Sequence, residues 1–285
     1  MLAVCLATSP DRSLSGLGSR GIGLILHQLQ HGTTATVREA AADVVLGMAL
    51  LEQGQRLLIS NNAAPVIARV ISPTPLESVG MSAMGDGSSS PRSISRIAVS
   101  PTRAHPTVRL LQRVLDSLAA LASNSNVAPQ LASAGCLDAL AARLVHSVRD
   151  LSVGNAPVVA AACLSLGACI AAPRGTQPLR APDVLSALRT AAVASCTAHG
   201  AGYTGVSEAA VGALARMAQA DEATALVLTR AGVMDTAAQL LTAKPSPRAQ
   251  THAAHLLFAC VHTVRTTLAD VLPRSVPLRQ LVAVL

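Results

Sequence analysis

The chain has 285 residues, of which 51% are hydrophobic and 13% charged, so it can bury a large core but is long for one compact domain. It contains no Trp, one Tyr and one Phe, so the interior must be built from small and aliphatic side chains, which suits stacked helices. Lys244 is the one lysine among 22 basic residues, which indicates GC-rich coding rather than selected arginine chemistry, and there is no aromatic-lined basic stripe typical of nucleic-acid binders.

Residues 1–71 are predicted to form the first, partial repeat units, and the chain is expected to begin within a repeat. Apolar residues at helical spacing predict a series of helices separated by short polar breaks. The predicted helices are Gly21–Leu29, Val37–Leu50, Glu52–Ile59 and Ala64–Ile71. Asn61 and Asn62 stand where later units have glycine, and asparagine tolerates the left-handed conformation that a helix end requires.

Residues 72–107 interrupt this rhythm. The segment has five prolines, a Gly/Ser patch and no helical period, so it is predicted to be a disordered insertion. Ser90 and Ser100 precede prolines, and Ser95 lies three residues after Arg92, which makes them candidate sites for proline-directed or basophilic kinases. A passive loop is the alternative for this insertion.

Residues 108–285 resume the repeat. Long apolar helices are predicted at Val108, Pro157, Val206 and Arg248. In two of these units a short helix and a glycine follow, at Ala134-Gly135 and Ala231-Gly232, whereas the unit Pro157–Ala191 lacks the glycine. With the insertion removed, the period is about 36–50 residues, close to the roughly 40–47 residues of helical repeats.

The order of a long helix, a short link, Ala-Gly and a further apolar helix resembles an armadillo repeat, with HEAT repeats as the close second. The resemblance covers most of the chain outside residues 1–15 and 72–107. It implies an all-α fold, a right-handed α-solenoid of about five to six helical repeats.

The resemblance also implies that the third helix of each unit lines a concave groove that holds an extended peptide or a partner helix. In importin alpha each third helix carries a Trp and an Asn four residues apart in that groove. The matching pairs here are Asp43 and Gly47, Asp116 and Ala120, Leu164 and Ala168, Gly212 and Arg216, and His255 and Ala259. None is Trp or Asn, so import-signal binding by that mechanism is not expected. The candidate partner-binding residues are Asp43, Arg113, Asp116, Arg216 and His255.

The predicted function is therefore a protein-interaction scaffold or adaptor. One alternative is a membrane-associated protein that uses the uncharged run 151–173 as a span. Another is a basic solenoid whose C-terminal end, residues 242–285, binds an acidic or nucleic-acid partner. That end carries Lys244, Arg248, Arg265, Arg274 and Arg279 against Asp270.

No catalytic, cofactor or metal site and no small-molecule substrate is predicted. His252, His255 and His262 could share a helix face, but Cys260 points elsewhere, and a zinc site needs converging ligands. The cysteines lie mostly in apolar helical stretches without a CxxC pair, so they are predicted to be buried thiols in a reducing compartment, the cytoplasm or nucleus. No signal sequence is recognisable. The apolar end Leu278–Leu285 favours either a longer protein or self-association.

Overall fold

The computed structural model describes residues 10–73, 107–170, 177–196, 200–243 and 246–263, and within these ranges every regular element is a helix. In chain order the α-helices are α1 (Pro10–His31), α2 (Ala35–Ala49), α3 (Glu52–Ser60), α4 (Ala63–Ile71), α5 (Val108–Ala122), α6 (Ala128–Ser133), α7 (Cys136–Arg149), α8 (Ala156–Cys169), α9 (Pro182–Val193), α10 (Thr204–Ala220), α11 (Glu222–Arg230), α12 (Val233–Ala243) and α13 (Pro247–Thr263). Three short 3₁₀ turns are Gln177–Arg180, Ala194–Cys196 and Gly200–Tyr203. The predicted all-α fold is confirmed.

The helices stack in two parallel series. In one series each long helix packs against the next; it consists of α2, α5, α8, α10 and α13. We call this series the third-helix layer, because it carries the positions that the armadillo resemblance assigns to third helices. The second series lies on the other side of the core, and its helices also pack each against the next; it consists of α1, α4, α7, α9 and α12. The short helices α3, α6 and α11 connect the first series to the second. This repeated order is that of an α-solenoid, in which each unit buries its apolar face only against its neighbours.

Side-chain caps fix where several of these helices begin. Thr34 and Thr107 accept hydrogen bonds from the backbone N–H groups of Val37 and Leu110, at 3.2 and 3.1 Å. Such caps satisfy N–H groups that have no partner within the helix. Thr107 therefore belongs to the repeat at the start of α5, while residues 74–106 of the predicted insertion, with Ser90, Ser95 and Ser100, lie outside the described residues.

The turns before three second-series helices share one backbone conformation. Asn62, Gly135 and Gly232 have φ angles of 56°, 76° and 76° and precede α4, α7 and α12. The prediction that asparagine replaces glycine at this turn in the first unit is thus confirmed. The unit that lacks the glycine has the 3₁₀ turn Gln177–Arg180 ahead of α9 instead.

Small residues let neighbouring third helices approach closely. A Cβ atom added to Gly167 of α8 would already be in van der Waals contact, at 3.5 Å, with the Cα of Ala213 on α10, so the two helix backbones lie close together there. Ser165 is fully buried, and its hydroxyl donates to the Leu115 carbonyl oxygen of α5 at 2.7 Å or to that of Ala161 at 2.8 Å. Because this core lacks large aromatic side chains, close packing of the helices fills the space between them.

The apolar run 151–173 does not form one long span. Its helical part, α8, ends at Cys169 and is buried between α5 and α10. Among the helices of the described residues, none has both the length and the hydropathy required to cross a bilayer. The run is apolar because α8 is the central helix of the third-helix layer and is covered on both sides.

Candidate functional site

The third-helix layer carries one row of partly or fully exposed side chains along each helix. Exposed positions recur every three or four residues, so they lie along one face of each helix. We call this row the third-helix stripe; it consists of Glu39, Asp43 and Gly47 on α2, Arg109, Arg113, Asp116 and Ala120 on α5, Ala160, Leu164 and Ala168 on α8, Glu208, Gly212 and Arg216 on α10, and Thr251 and His255 on α13. All five sequence-derived candidates lie on it, whereas Ala259, which the importin alpha comparison also selected, is buried.

In the N-terminal half of the stripe, two of the candidates contact each other. Arg113 Nε lies 3.1 Å from Asp43 Oδ1, and Arg109 Nη2 lies 3.2 Å from Asp43 Oδ2. Arg109 also approaches Glu39, with 3.9 Å between Nε and Oε2, and the Thr107 hydroxyl donates to Glu39. The charges on α2 and α5 thus neutralise one another across the helix contact. Because the arginines remain well exposed, each pair contributes about 0–1 kcal/mol to stability.

Asp116 lies next to this network, one turn further along α5. Burial raises the pKa of its carboxyl above the usual value, and the nearby Arg113 guanidinium partly opposes that effect. The half-buried carboxylate is therefore less well solvated than a surface aspartate. A partner that offers a cation or hydrogen-bond donors to Asp116 would relieve this cost.

The middle of the stripe is apolar. Leu164 on α8 has 49% of its surface exposed, with the partly buried Ala160 and Ala168 one turn to either side. Gly167 leaves space over which the Arg216 side chain extends, since a Cβ there would lie 3.2 Å from Arg216 Nη1 and 3.5 Å from its Cδ. The guanidinium of α10 thus reaches across α8, within one turn of the exposed leucine.

The C-terminal end of the stripe is rich in histidine. The His252 ring lies over Gly212, where its Cδ2 would be 3.4 Å from an added Cβ. Burial lowers the pKa of His252, and the positive groups of His255, Arg216 and Arg248 lower it further, while Glu208 opposes them. Glu208 accepts a hydrogen bond of 2.8 Å from the Ser246 hydroxyl, so its carboxylate is already engaged at the start of α13. His255 itself is exposed.

The sequence pattern missed several of these features. Leu164 was mapped to a groove position but was not selected as a candidate, and Arg109 and His252 were not mapped, although each lies three or four residues from a candidate. Their spacing was the available signal. The spacing could not show that Arg109 and Arg113 both form ion pairs with Asp43. It also could not show that the His252 ring packs over Gly212 of α10.

The histidines and cysteines of α13 do not converge. Cys260 is buried at 1% exposure, while His262 stacks on the exposed Phe258 with 5.8 Å between ring centroids. In the described part of the chain, no three His, Cys, Asp or Glu side chains are grouped so as to hold a metal ion.

Four cysteines, Cys136, Cys163, Cys169 and Cys260, are buried free thiols, as predicted, whereas Cys196 is only partly buried and Cys5 lies outside the described residues. Burial raises the pKa of Cys136, Cys163 and Cys169 to about 12. A thiol with such a pKa is almost wholly protonated at neutral pH, and the thiolate is the nucleophile. These three residues therefore act as core side chains.

Three solved structures illustrate what the fold is similar to. A designed armadillo repeat protein superposes with a TM-score of 0.62 at 17% identity, over 91% of this chain and 90% of its own. A second, solved in complex with the peptide (KR)4, gives 0.60 at 15% identity over 90% and 88%. A computationally designed armadillo repeat protein for modular peptide recognition gives 0.57 at 16% identity over 90% and 98%.

No protein-family model matches the sequence, and no curated protein matches it significantly. At 15–17% identity, the likeness to these structures establishes the fold. The chain has an armadillo-type solenoid fold, as the order of its helices predicted.

Proposed function

We propose that the chain is an interaction scaffold that binds an extended peptide or a helix of a partner protein along the third-helix stripe. The observation that carries this proposal is the continuous stack of third helices from α2 to α13, with charged and apolar side chains exposed along its stripe. In the armadillo fold this layer lines the groove. A row of side chains at regular intervals suits a ligand that is itself regular, such as an extended backbone or one face of a helix.

Two of the similar structures support the proposal, one by its ligand and one by its design purpose. One designed armadillo repeat protein was solved with the peptide (KR)4, and another was made for modular peptide recognition. The same architecture therefore accommodates peptides. The proposal places Asp43, Arg113, Asp116, Arg216 and His255 at the contact surface of this chain.

These residues differ in how accessible they are to a ligand. Asp43 and Arg113 already form an ion pair, so a ligand must replace contacts that the free protein has. Asp116 and Arg216 each have no salt bridge within the described residues, so they can bind a ligand without losing one. The proposed role requires no catalytic residue, and we propose the cytoplasm or nucleus as its location because buried unpaired cysteines, such as those among the described residues, are typical of proteins from reducing compartments.

The test is selection of linear peptides from a random displayed library on the full-length chain. Peptides that bind the stripe should lose roughly tenfold in affinity with Asp116→Ala or Arg216→Ala, as contact residues do. Arg149→Ala, an exposed arginine on α7 in the other helix series, is the matched control and should have no effect. Selected peptides that respond to Arg149→Ala but to neither stripe variant would show that binding occurs elsewhere and would refute the proposal.

A further inference from the structure

The two halves of the third-helix stripe differ in the charge that they offer a ligand. On α2 and α5, Arg109 and Arg113 are both held by the acidic partners Glu39 and Asp43. Asp116 is a third acid, so this half of the stripe has one more acid than base. On α10 and at the start of α13 the sign is reversed, because Arg216 and Arg248 face one acid, Glu208. That glutamate is engaged by Ser246.

Arg216 is an available cation of this C-terminal half. Its side chain is exposed, and within the described residues it forms no salt bridge. Its position is nonetheless defined, since the stem extends over Gly167 of the neighbouring helix. A guanidinium placed in this way can bind a carboxylate through two parallel hydrogen bonds, at a lower cost in side-chain entropy than a fully mobile arginine.

An apolar contact lies beside this cation. Leu164 precedes Gly167 by three residues on α8, and Ala160 and Ala168 flank it without covering it. An exposed leucine flanked by two small alanine side chains can pack against one aliphatic or aromatic side chain of a ligand. The leucine and the guanidinium are therefore about one helical turn apart.

His252 responds to the positive charge at this end of the stripe. His252 lies over Gly212, and its protonated form is disfavoured by burial and then by His255 and Arg216. A ligand that brings negative charge would reduce this repulsion, whereas a basic ligand would add to it. Charge complementarity thus selects the sign of the ligand at this end.

We propose that the C-terminal half of the third-helix stripe binds an acidic peptide, with one carboxylate on Arg216 and an apolar side chain on Leu164. This inference rests on the proposed function and assigns the chemical class of the partner. The ligand that it predicts is opposite in charge to the peptide (KR)4, with which one similar designed protein was solved.

The experiment measures the binding of fluorescein-labelled octapeptides to the full-length chain by fluorescence anisotropy. The acidic probe repeats Glu-Asp-Leu-Glu twice, the basic probe repeats Lys-Arg-Leu-Lys twice, and a third probe has alanine in place of both leucines of the acidic one. We expect the acidic probe to bind at least about tenfold more tightly than the basic probe.

Three variants locate the site. Arg216→Ala should weaken the acidic probe about tenfold, whereas Arg149→Ala, which removes the same charge from the exposed surface of α7, should leave its affinity unchanged. Leu164→Ala should weaken the binding of the acidic probe about fivefold. It should have much less effect on the probe that lacks leucine, because in that probe the contact with Leu164 is already missing. Circular dichroism of each variant checks that the solenoid is folded.

Equal binding of acidic and basic probes would overturn the inference. So would an effect of Arg149→Ala as large as that of Arg216→Ala, which means attraction by net charge alone, or an unchanged affinity in Leu164→Ala. If library-selected peptides still depend on the stripe while the acidic probe does not bind, the assigned partner class is wrong and the scaffold function stands. If neither depends on the stripe, the function itself is wrong.

Discussion

Replacing Arg143 by methionine should destabilise the junction between the first two units. This arginine of α7 is only 2% exposed, and its guanidinium lies at the C-terminal end of α4. Its Nε donates to the Ile71 carbonyl oxygen at 2.6 Å and its Nη2 to that of Ser72 at 3.0 Å. Carbonyl groups at a helix C-terminus have no donor within the helix and carry the negative end of its dipole.

The magnitude follows from these two contacts. A hydrogen bond to a charged group contributes about 1.5–3 kcal/mol, so the loss of both amounts to about 3–6 kcal/mol. Methionine fills much of the same volume and removes a cation that is costly to bury, which offsets part of that loss. We therefore expect Arg143→Met to lower the free energy of unfolding by about 2–4 kcal/mol.

Urea unfolding followed by circular dichroism measures this change, and Arg149→Met is the matched control. Arg149 lies on the same helix but is exposed, so its replacement should stay within about 0.5 kcal/mol of the wild type. Arg143→Lys keeps the charge but loses the planar donor pair, so its stability should fall between the other two. If Arg143→Met and Arg149→Met unfold at the same urea concentration, the two hydrogen bonds do not hold the units together and the reasoning is refuted.

Three further predictions concern single residues. Gly135→Ala should cost about 1–2 kcal/mol in urea unfolding because the φ of 76° is strained for a side chain, whereas Gly135→Asn should cost clearly less, as Asn62 already adopts this conformation. Asp221→Ala should cost about 1 kcal/mol at neutral pH, since the carboxylate caps α11 at the Thr224 N–H, 2.7 Å away; a difference below the error of the measurement would contradict this. The lowered pKa of His252, caused by burial and then by His255, means that the unfolded state binds a proton more readily, so stability should fall as the pH drops below about 6.5. His252→Gln should reduce that fall between about pH 7.5 and about pH 5.5, and an unchanged slope would show that other groups cause it.

The core and the turns could be predicted from the sequence because they obey local rules. Apolar spacing located the long helices, and Asn62 was predicted to be left-handed from its place in the repeat. Helix ends shifted by a few residues where a cap decides the start, as at Thr34, after which α2 begins at Ala35 rather than at Val37.

Contacts between units were beyond the reach of local rules. The arginine content was interpreted as a coding bias, yet Arg38, Arg143 and Arg189 donate to carbonyl oxygens at the ends of helices α1, α4 and α11. These pairs join residues 9 to 72 positions apart, and no periodic pattern relates them. Only the packed units show that these three arginines join helices, whereas Arg216 is exposed and forms no salt bridge within the described residues.

The same distinction separates the residues that maintain the fold from the exposed residues that can select a partner. Buried positions such as Gly167 and Ser165 lie where neighbouring third helices contact each other, so their side chains must fit that contact. Stripe positions carry no such constraint, and their charge can change without loss of the solenoid. Asp43 on the stripe is neutralised by two arginines of the next helix, whereas Arg216 has no acid to pair with in the described residues. A ligand that supplies that acid gains an interaction which the free protein lacks, and this difference in free energy, rather than the shared architecture, selects the partner.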